Sequence, residues 1–246
     1  MNKRILYICA ALISVAASLS LTGCSKQEIP AWTGEDYVRI EGPEVWTLDT
    51  DSMEYSFASS VSSVKTFDAE CKVVVEGARA DVDRVVYLKV DDATTAESSF
   101  YSMPEYVTIP AGQGYGSFRI TLNRDTKLQD RKYILQVSID DGKSTIKTGV
   151  QAYKKLTIKF SDILSRPSNW ADLEEFFGAS YSDTKYRFII DTVGTGDFTY
   201  LQTGGMSWGE MWNYRLLVVT ALDEYNKQHP TSPLKDEFGS LVSFDN

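Results

Sequence analysis

The chain has 246 residues, 43% of them hydrophobic, with 25 basic against 34 acidic side chains and a formal balance of −9. That apolar content excludes a disordered chain, and the negative charge excludes nucleic acid as a partner, because its phosphates would be repelled. There are one histidine and three cysteines.

Lys3 and Arg4 are followed by an uncharged, mostly apolar run from Ile5 to Leu21. This is the layout of a secretory signal peptide, slightly short for a bilayer span of about 20 residues. Leu21-Thr22-Gly23-Cys24 resembles the bacterial lipobox. That resemblance implies cleavage between Gly23 and Cys24, a diacylglyceryl thioether on the Cys24 sulfur, and acylation (palmitate or a similar chain) of the new amine. At about 0.8 kcal/mol per buried CH₂, such an anchor is effectively permanent. Residues 1–23 are therefore expected to be a lipoprotein signal peptide and 24–35, with Pro30 and Gly34, a lipidated tether. Ser25 follows the cysteine, where the lipoprotein pattern implies the outer membrane; a surface-facing and a periplasmic orientation both stay open. Loss of residues 1–23 removes Lys3 and Arg4, leaving 23 basic against 34 acidic side chains, or −11. The N-terminal lipid on Cys24 is the only cofactor-like group expected. Cys71 is left without a partner for a disulfide, in a Val-rich stretch that predicts a buried strand thiol. With Cys9 in the expected signal peptide and Cys24 expected to be lipidated, one histidine and Cys71 do not make a zinc ligand set.

Residues 36–162 read as β. Met53, Tyr55 and Phe57 alternate with Glu54, Ser56 and Ala58, Val86, Leu88 and Val90 with Val85, Tyr87 and Lys89, and Phe118, Ile120 and Leu122 with Ser117, Arg119 and Thr121. Tyr133, Leu135, Val137 and Ile139 continue the pattern, and Leu156, Ile158 and Phe160 close it. A two-residue period with one apolar face predicts sheets packed on one side, and short strands between turns predict a sandwich. Ile109-Pro110-Ala111-Gly112 supplies one turn, and Asp140-Asp141-Gly142 suggests a tight hairpin. The stretch from Val107 through Leu135 resembles the immunoglobulin-like and Calx-β-like sandwiches of bacterial surface proteins.

Residues 163–246 read as a helical region. Asn169 is expected to cap a helix bearing Trp170, Leu173, Phe176 and Phe177 on one face, with Gly178 as its stop. Residues 182–192 fit either a helix capped by Ser182 or a strand in which Tyr186, Phe188 and Ile190 alternate. Ser207 and Glu210 form a capping box for a third helix, with Met211, Tyr214, Val218, Leu222 and Tyr225 at helical spacing. Its other side carries Trp212, Leu216 and Val219, which predicts a helix buried nearly all round. Lys227 and His229 complement its C-terminus, and Pro230 ends it. The fold class expected is mainly β with a helical C-terminal part (α+β), a β-sandwich followed by about three helices.

The lipobox, the tether, Ile109 to Gly112, Lys159 to Asp162 running into Arg166 to Trp170, and the tail from Tyr225 to Leu234 together resemble an uncharacterised Bacteroidetes-type outer-membrane lipoprotein family. Its domain has no assigned function. Members are often found near glycan-uptake genes, which implies an accessory role, and the family brings no functional residues to carry over.

Several constellations could carry chemistry. Glycoside hydrolysis needs two opposed carboxylates, and Asp172, Glu174 and Glu175 share one helix, where neighbours point to different faces. Asp49 to Asp51, Asp91-Asp92 and Asp140-Asp141 are oxygen-rich loop ends, the last pair being the calcium candidates, but turn formation explains each and no EF-hand spacing occurs. A Ser-His-Asp site would have to use His229, without a nucleophile elbow. Trp46 and Trp208, flanked by polar residues or glycine, are the candidates for stacking on a ligand such as a sugar, whereas Trp170 and Trp212 belong on apolar faces. No catalytic residue and no metal site emerge. The reading favoured is a lipid-anchored, non-enzymatic accessory that binds an envelope protein or an extracellular glycan. Its rivals are an extracytoplasmic glycoside hydrolase with paired carboxylates and a purely structural surface or adhesion protein.

Overall fold

A computed structural model describes residues 34–43, 52–149, 153–199 and 205–245. Gly23, Cys24, Trp46 and Asp49 to Asp51 lie outside the described residues, so the expectations attached to them are carried no further by the fold.

The β part is a sandwich of two five-stranded sheets. β1 (Tyr37–Glu41), β3 (Thr66–Glu76), β5 (Tyr101–Ser102), β7 (Tyr115–Asn123) and β9 (Lys147–Thr148) form one sheet in the order β5-β7-β3-β1-β9. β2 (Ser52–Ser56), β4 (Arg84–Val90), β6 (Tyr106–Ile109), β8 (Tyr133–Ile139) and β10 (Lys155–Ser161) form the other in the order β2-β10-β8-β4-β6. Most neighbours are antiparallel; β1–β9 and β10–β2 are parallel. The alternating residues do what their period dictates. Ile120, Leu122, Leu135, Val137, Leu156 and Ile158 are all fully buried between the sheets.

The Pro110 to Gln113 turn carries the chain from one sheet to the other, since β6 and β7 lie in different sheets. Gln113 donates to the Pro110 carbonyl at 3.0 Å and Gly112 takes φ of 75°, the positive value a type II turn requires. Gly116 then lets the two sheets approach, because a Cβ there would stand 2.5 Å from the Thr108 carbonyl oxygen.

Asp140 to Gly142 turns the chain as expected, with the Gly142 amide donating to Asp140 Oδ1 at 3.0 Å. It does not make a hairpin between paired strands. β8 is followed by β9, which crosses to pair with β1, and only then by β10, which returns to β8. The Asx turn was legible locally, but the pairing is a long-range choice.

Three helices follow: α1 (Trp170–Phe177), α2 (Asp183–Val193) and α3 (Trp208–Gln228). The ambiguous segment 182–192 is helical, with the Ser182 hydroxyl accepting from the Lys185 amide at 3.1 Å and Gly194 closing it at φ 90°. A strand there would have had to expose alternate residues, whereas Tyr186, Ile189 and Ile190 are buried on one helical face. Asn169 precedes α1 without capping it through its side chain, which donates instead to the Phe198 carbonyl at 2.9 Å. α3 has its capping box, but it is not buried nearly all round. Met211, Val218 and Leu222 face the core while Leu216 is 64% and Leu217 44% exposed. Only one face of α3 meets α1 and α2, so an apolar residue on the far side has nothing to pack against.

Candidate functional site

Two strand ends meet where the sandwich joins the helices. Asp162 follows β10, with its amide bonded to the Leu128 carbonyl at 2.8 Å, and Arg124 follows β7, with its amide bonded to the Lys65 carbonyl at 2.7 Å. Arg124 grips the carboxylate with both prongs of its fork, Nε to Oδ2 at 2.9 Å and Nη2 to Oδ1 at 2.8 Å. Its Nη1 donates to the carbonyls of Val61 at 2.8 Å and Val64 at 3.2 Å. Arg187, from α2, reaches the Ser60 carbonyl at 2.9 Å and Asp162 Oδ1 at 3.5 Å. The Asp162 side chain is 2% exposed and that of Arg124 8%. Burying two charges is costly, and here the forked geometry and two carbonyls satisfy them. The assembly fixes the orientation of α2 on the end of the sandwich.

Above this joint lies an open cleft of about 470 Å³, lined among others by Gln129, Asp183, Arg187, Phe188, Asp191 and Leu234. Its wall is held from several sides. Asp191 accepts from the Ser62 amide at 2.5 Å and the Ser62 hydroxyl at 2.7 Å. Asp183 accepts from the Tyr181 hydroxyl at 2.7 Å. Glu237, in the C-terminal turn, accepts from the amides of Asp183 at 2.8 Å and Thr184 at 3.2 Å, adding a negative charge at the N-terminus of α2. Local desolvation raises the Glu237 carboxyl, but these backbone donors, with the Thr184 hydroxyl, outweigh it and hold the group below its ordinary range. Phe238, next to it, is 80% exposed. Burial and then the bond to Asp183 push the Tyr181 hydroxyl far up, so it stays a donor. Each carboxylate lining the cleft thus already accepts a hydrogen bond from the protein.

The residues singled out from the sequence lie elsewhere. Trp208 opens α3, 55% exposed and edge-on to Trp212 at 5.5 Å between centroids. Trp170 is buried and touches Tyr181 and Tyr186 edge to face. Asp141 accepts from the Thr148 amide at 2.8 Å and hydroxyl at 2.9 Å, and pairs with Lys154 at 2.6 Å. Burial raises its carboxyl, but these partners together bring it below the ordinary range. Asp140 holds the Gly142 amide. Among the described residues no group of three or more His, Cys, Asp or Glu side chains is placed to hold a metal ion. Asp172 and Glu175 are exposed, and Glu174 reaches Arg166 at 3.7 Å. His229 is exposed, with Nδ1 2.8 Å from the Tyr225 carbonyl. Cys71 is fully buried, and burial pushes its thiol up to about 12, which makes it inert.

Arg124, Asp162 and Arg187 escaped the sequence reading because their contacts span 38 and 25 residues. A polar residue directly after the apolar alternation of β10 was the one local signal.

A β-sandwich with a helical C-terminal part and a polar cleft at their joint defines the class of this molecule. The family model described as Domain of unknown function (DUF4843) matches residues 31–195, and the chain belongs to that family. That span includes both sheets, α1 and α2. No curated protein matches the sequence. Among solved structures, a two-domain protein of unknown function from Bacteroides fragilis is similar at 14% identity and a TM-score of 0.40, over 52% of this chain and 45% of that one. A putative carbohydrate binding protein from Bacteroides ovatus is similar at 13% identity and a TM-score of 0.37, over 52% of this chain and 37% of that one. The apo form of the Calx CBD1 domain is similar at 14% identity and a TM-score of 0.36, over 51% of this chain and 97% of the domain. The chain thus spans less than half the length of the two Bacteroides proteins.

Proposed function

We propose that this chain is a lipid-anchored accessory protein of a bacterial outer membrane that binds a neutral glycan in the junction cleft without catalysis. The observation that carries the reading is the cleft itself. A volume of about 470 Å³ falls in the range of small-ligand sites and is small for a protein surface. Its lining pairs planar hydrogen-bonding groups, Gln129, Asp183, Arg187 and Asp191, with the apolar face of Phe188, which suits a ring bearing hydroxyls. The buried Arg124–Asp162 pair preorganises that lining. Because the cleft carboxylates are already engaged as acceptors, binding is favoured over the proton transfers of a hydrolase. The anchor rests on Leu21 to Cys24, with mature residues starting at Cys24, a tether over 24–35, and sandwich and helical regions at 36–162 and 163–246.

Glycan-array binding tests the reading. The purified chain is expected to retain neutral oligosaccharides, and Gln129→Ala with Arg187→Gln to lose them. An empty array, with affinity capture from outer membranes recovering an envelope protein instead, would replace the glycan with a protein partner. Cys24→Ala should release the chain from membranes and abolish incorporation of labelled palmitate; retention in the membrane would remove the anchor.

A further inference from the structure

On the outer face of the second sheet, Ser138 stands directly opposite Lys89 of β4 on one side and Lys155 of β10 on the other. The two lysines therefore start roughly 9–10 Å apart, twice the spacing of neighbouring strands, with one small side chain between them. Ser138 is too short to fill that interval, and a hollow of about 290 Å³ opens there, lined by Lys89, Asp91, Ser138, Lys154 and Lys155. Lys154 is held by Asp141, and the Ser138 hydroxyl donates to Asp91 Oδ1 at 2.6 Å. Lys89 and Lys155 have no ion-pair partner among the described residues. With Lys154 neutralised by Asp141, two ammonium groups, those of Lys89 and Lys155, meet the one carboxylate of Asp91, in a chain whose overall balance is −9. Like charges in one cross-strand row repel, and a counter-ion between them relieves that repulsion.

We propose that this hollow is an oxyanion site, binding a sulfate or carboxylate group between the Lys89 and Lys155 ammoniums. The Asp91–Ser138 bond keeps the floor open and holds the Asp91 carboxylate to a side, while Asp141 is taken up by Lys154. The neighbouring surface extends the site: Tyr87 stands two residues from Lys89 on the same face, and its ring lies 5.6 Å from that of Tyr106, which is 52% exposed. An anionic group carried on a sugar would meet these rings; a free anion would not. The site is separate from the junction cleft and does not depend on the reading given to it.

Calorimetry at low ionic strength with inorganic sulfate, glucose 6-sulfate and glucose decides the matter. Both sulfates are expected to bind and glucose is not, with affinity falling as salt is added. Lys89→Gln with Lys155→Gln should weaken binding roughly tenfold or more, the effect of losing charge-assisted hydrogen bonds. Ser138→Leu, which fills the hollow and keeps both charges, should do the same. Both variants should keep the wild-type circular dichroism spectrum, and Gln129→Ala should leave sulfate binding unchanged. Tighter binding of the sugar sulfate, lost on Tyr106→Ala, would identify a saccharide-borne anion; equal binding of both would identify the free ion. No heat with either sulfate, or undiminished heat in the double lysine variant, would overturn the site.

Discussion

The two regions of this molecule solve the same burial problem with different side chains. The sandwich core is largely aliphatic and β-branched, with Val38, Ile40, Val73, Ile120, Leu135 and Ile158 interleaved between two sheets. The helical core is built from rings: Trp170, Phe176, Phe177, Tyr186 and Phe198 meet one another mostly edge to face or tilted. α1 has 8 residues and α2 has 11, too short to hold helical structure alone. Large rings give such short helices more buried area per residue than aliphatic side chains would. The helical core also relies on polar clasps between its short elements. Arg215 of α3 donates through Nη1 to the carbonyls of Phe176 and Phe244, both at 2.7 Å, satisfying the open end of α1 and pinning the C-terminal segment. The sheet-built region has its strand ladders besides such clasps, whereas the short helices depend on aromatic contacts and side-chain bonds to backbone.

The largest expected effect breaks the joint between the two. Arg124→Ala leaves the Asp162 carboxylate buried without its main cation, which should cost roughly 3–5 kcal/mol in urea unfolding. Hydrogen exchange should show protection falling in α1 and α2 well before β8, because Arg124 also secures the loop at Val61 and Val64 beneath α2. Arg124→Met combined with Asp162→Leu should recover most of the loss, since neither charge is then stranded. Equal loss of protection in β8 and α2 would mean the two regions open as one unit.

Particular residues explain why the sandwich was more legible than its partner. Leu156, Ile158 and Phe160 announce a strand because each alternate side chain goes to one core. Tyr186, Phe188 and Ile190 alternate too, yet they lie on a helix, where Ser182 as cap and Gly194 as stop outweighed the period. Leu216 was expected to be covered because its helix looked apolar all round, and burial depends on neighbours the local pattern does not contain. The cleft was not legible at all. Ser62, Asp162 and the Arg187/Asp191 pair of α2 come from three separate stretches, and nothing within any of them hints at the meeting.

A smaller effect sharpens the contrast in electrostatics. Lys185 of α2 is 2% exposed and packs near the Phe244 ring, at 5.4 Å, with its Nζ donating to the Ser180 carbonyl at 2.9 Å. Desolvation, followed by the nearby Arg215 cation, lowers its ammonium from 10.5 to about 8, against a smaller opposing pull from Asp245. A depressed lysine favours its neutral form when folded, so between about pH 8 and 10.5 the unfolded chain binds more protons. Stability should therefore rise with pH through that window, by an amount on the order of 2 kcal/mol. Tyr186 acts the other way above pH 10, because burial pushes its hydroxyl up to about 12 and the unfolded chain loses its proton first. Lys185→Met should remove the rise between pH 8 and 10 while raising stability at neutral pH, read from urea midpoints across the range. A midpoint curve unchanged by the substitution would mean that Lys185 reaches water when folded.

The smallest expected effect lies on the far side of α3. Leu216 is 64% exposed and Trp208 55%, so truncating either removes little buried area. Leu216→Gln should change stability by less than about 0.5 kcal/mol, whereas Met211→Ala, on the same helix and fully buried, should cost roughly 2–5 kcal/mol. The pair of measurements isolates what faces the helical core from what merely shares its helix. A large loss from Leu216→Gln would mean that this face is covered in solution, and a drop in sedimentation coefficient on the same substitution would identify the cover as another copy of the chain. With no such loss, the apolar residues of α3 divide by neighbour rather than by type, and the one-sided packing of the helical region stands.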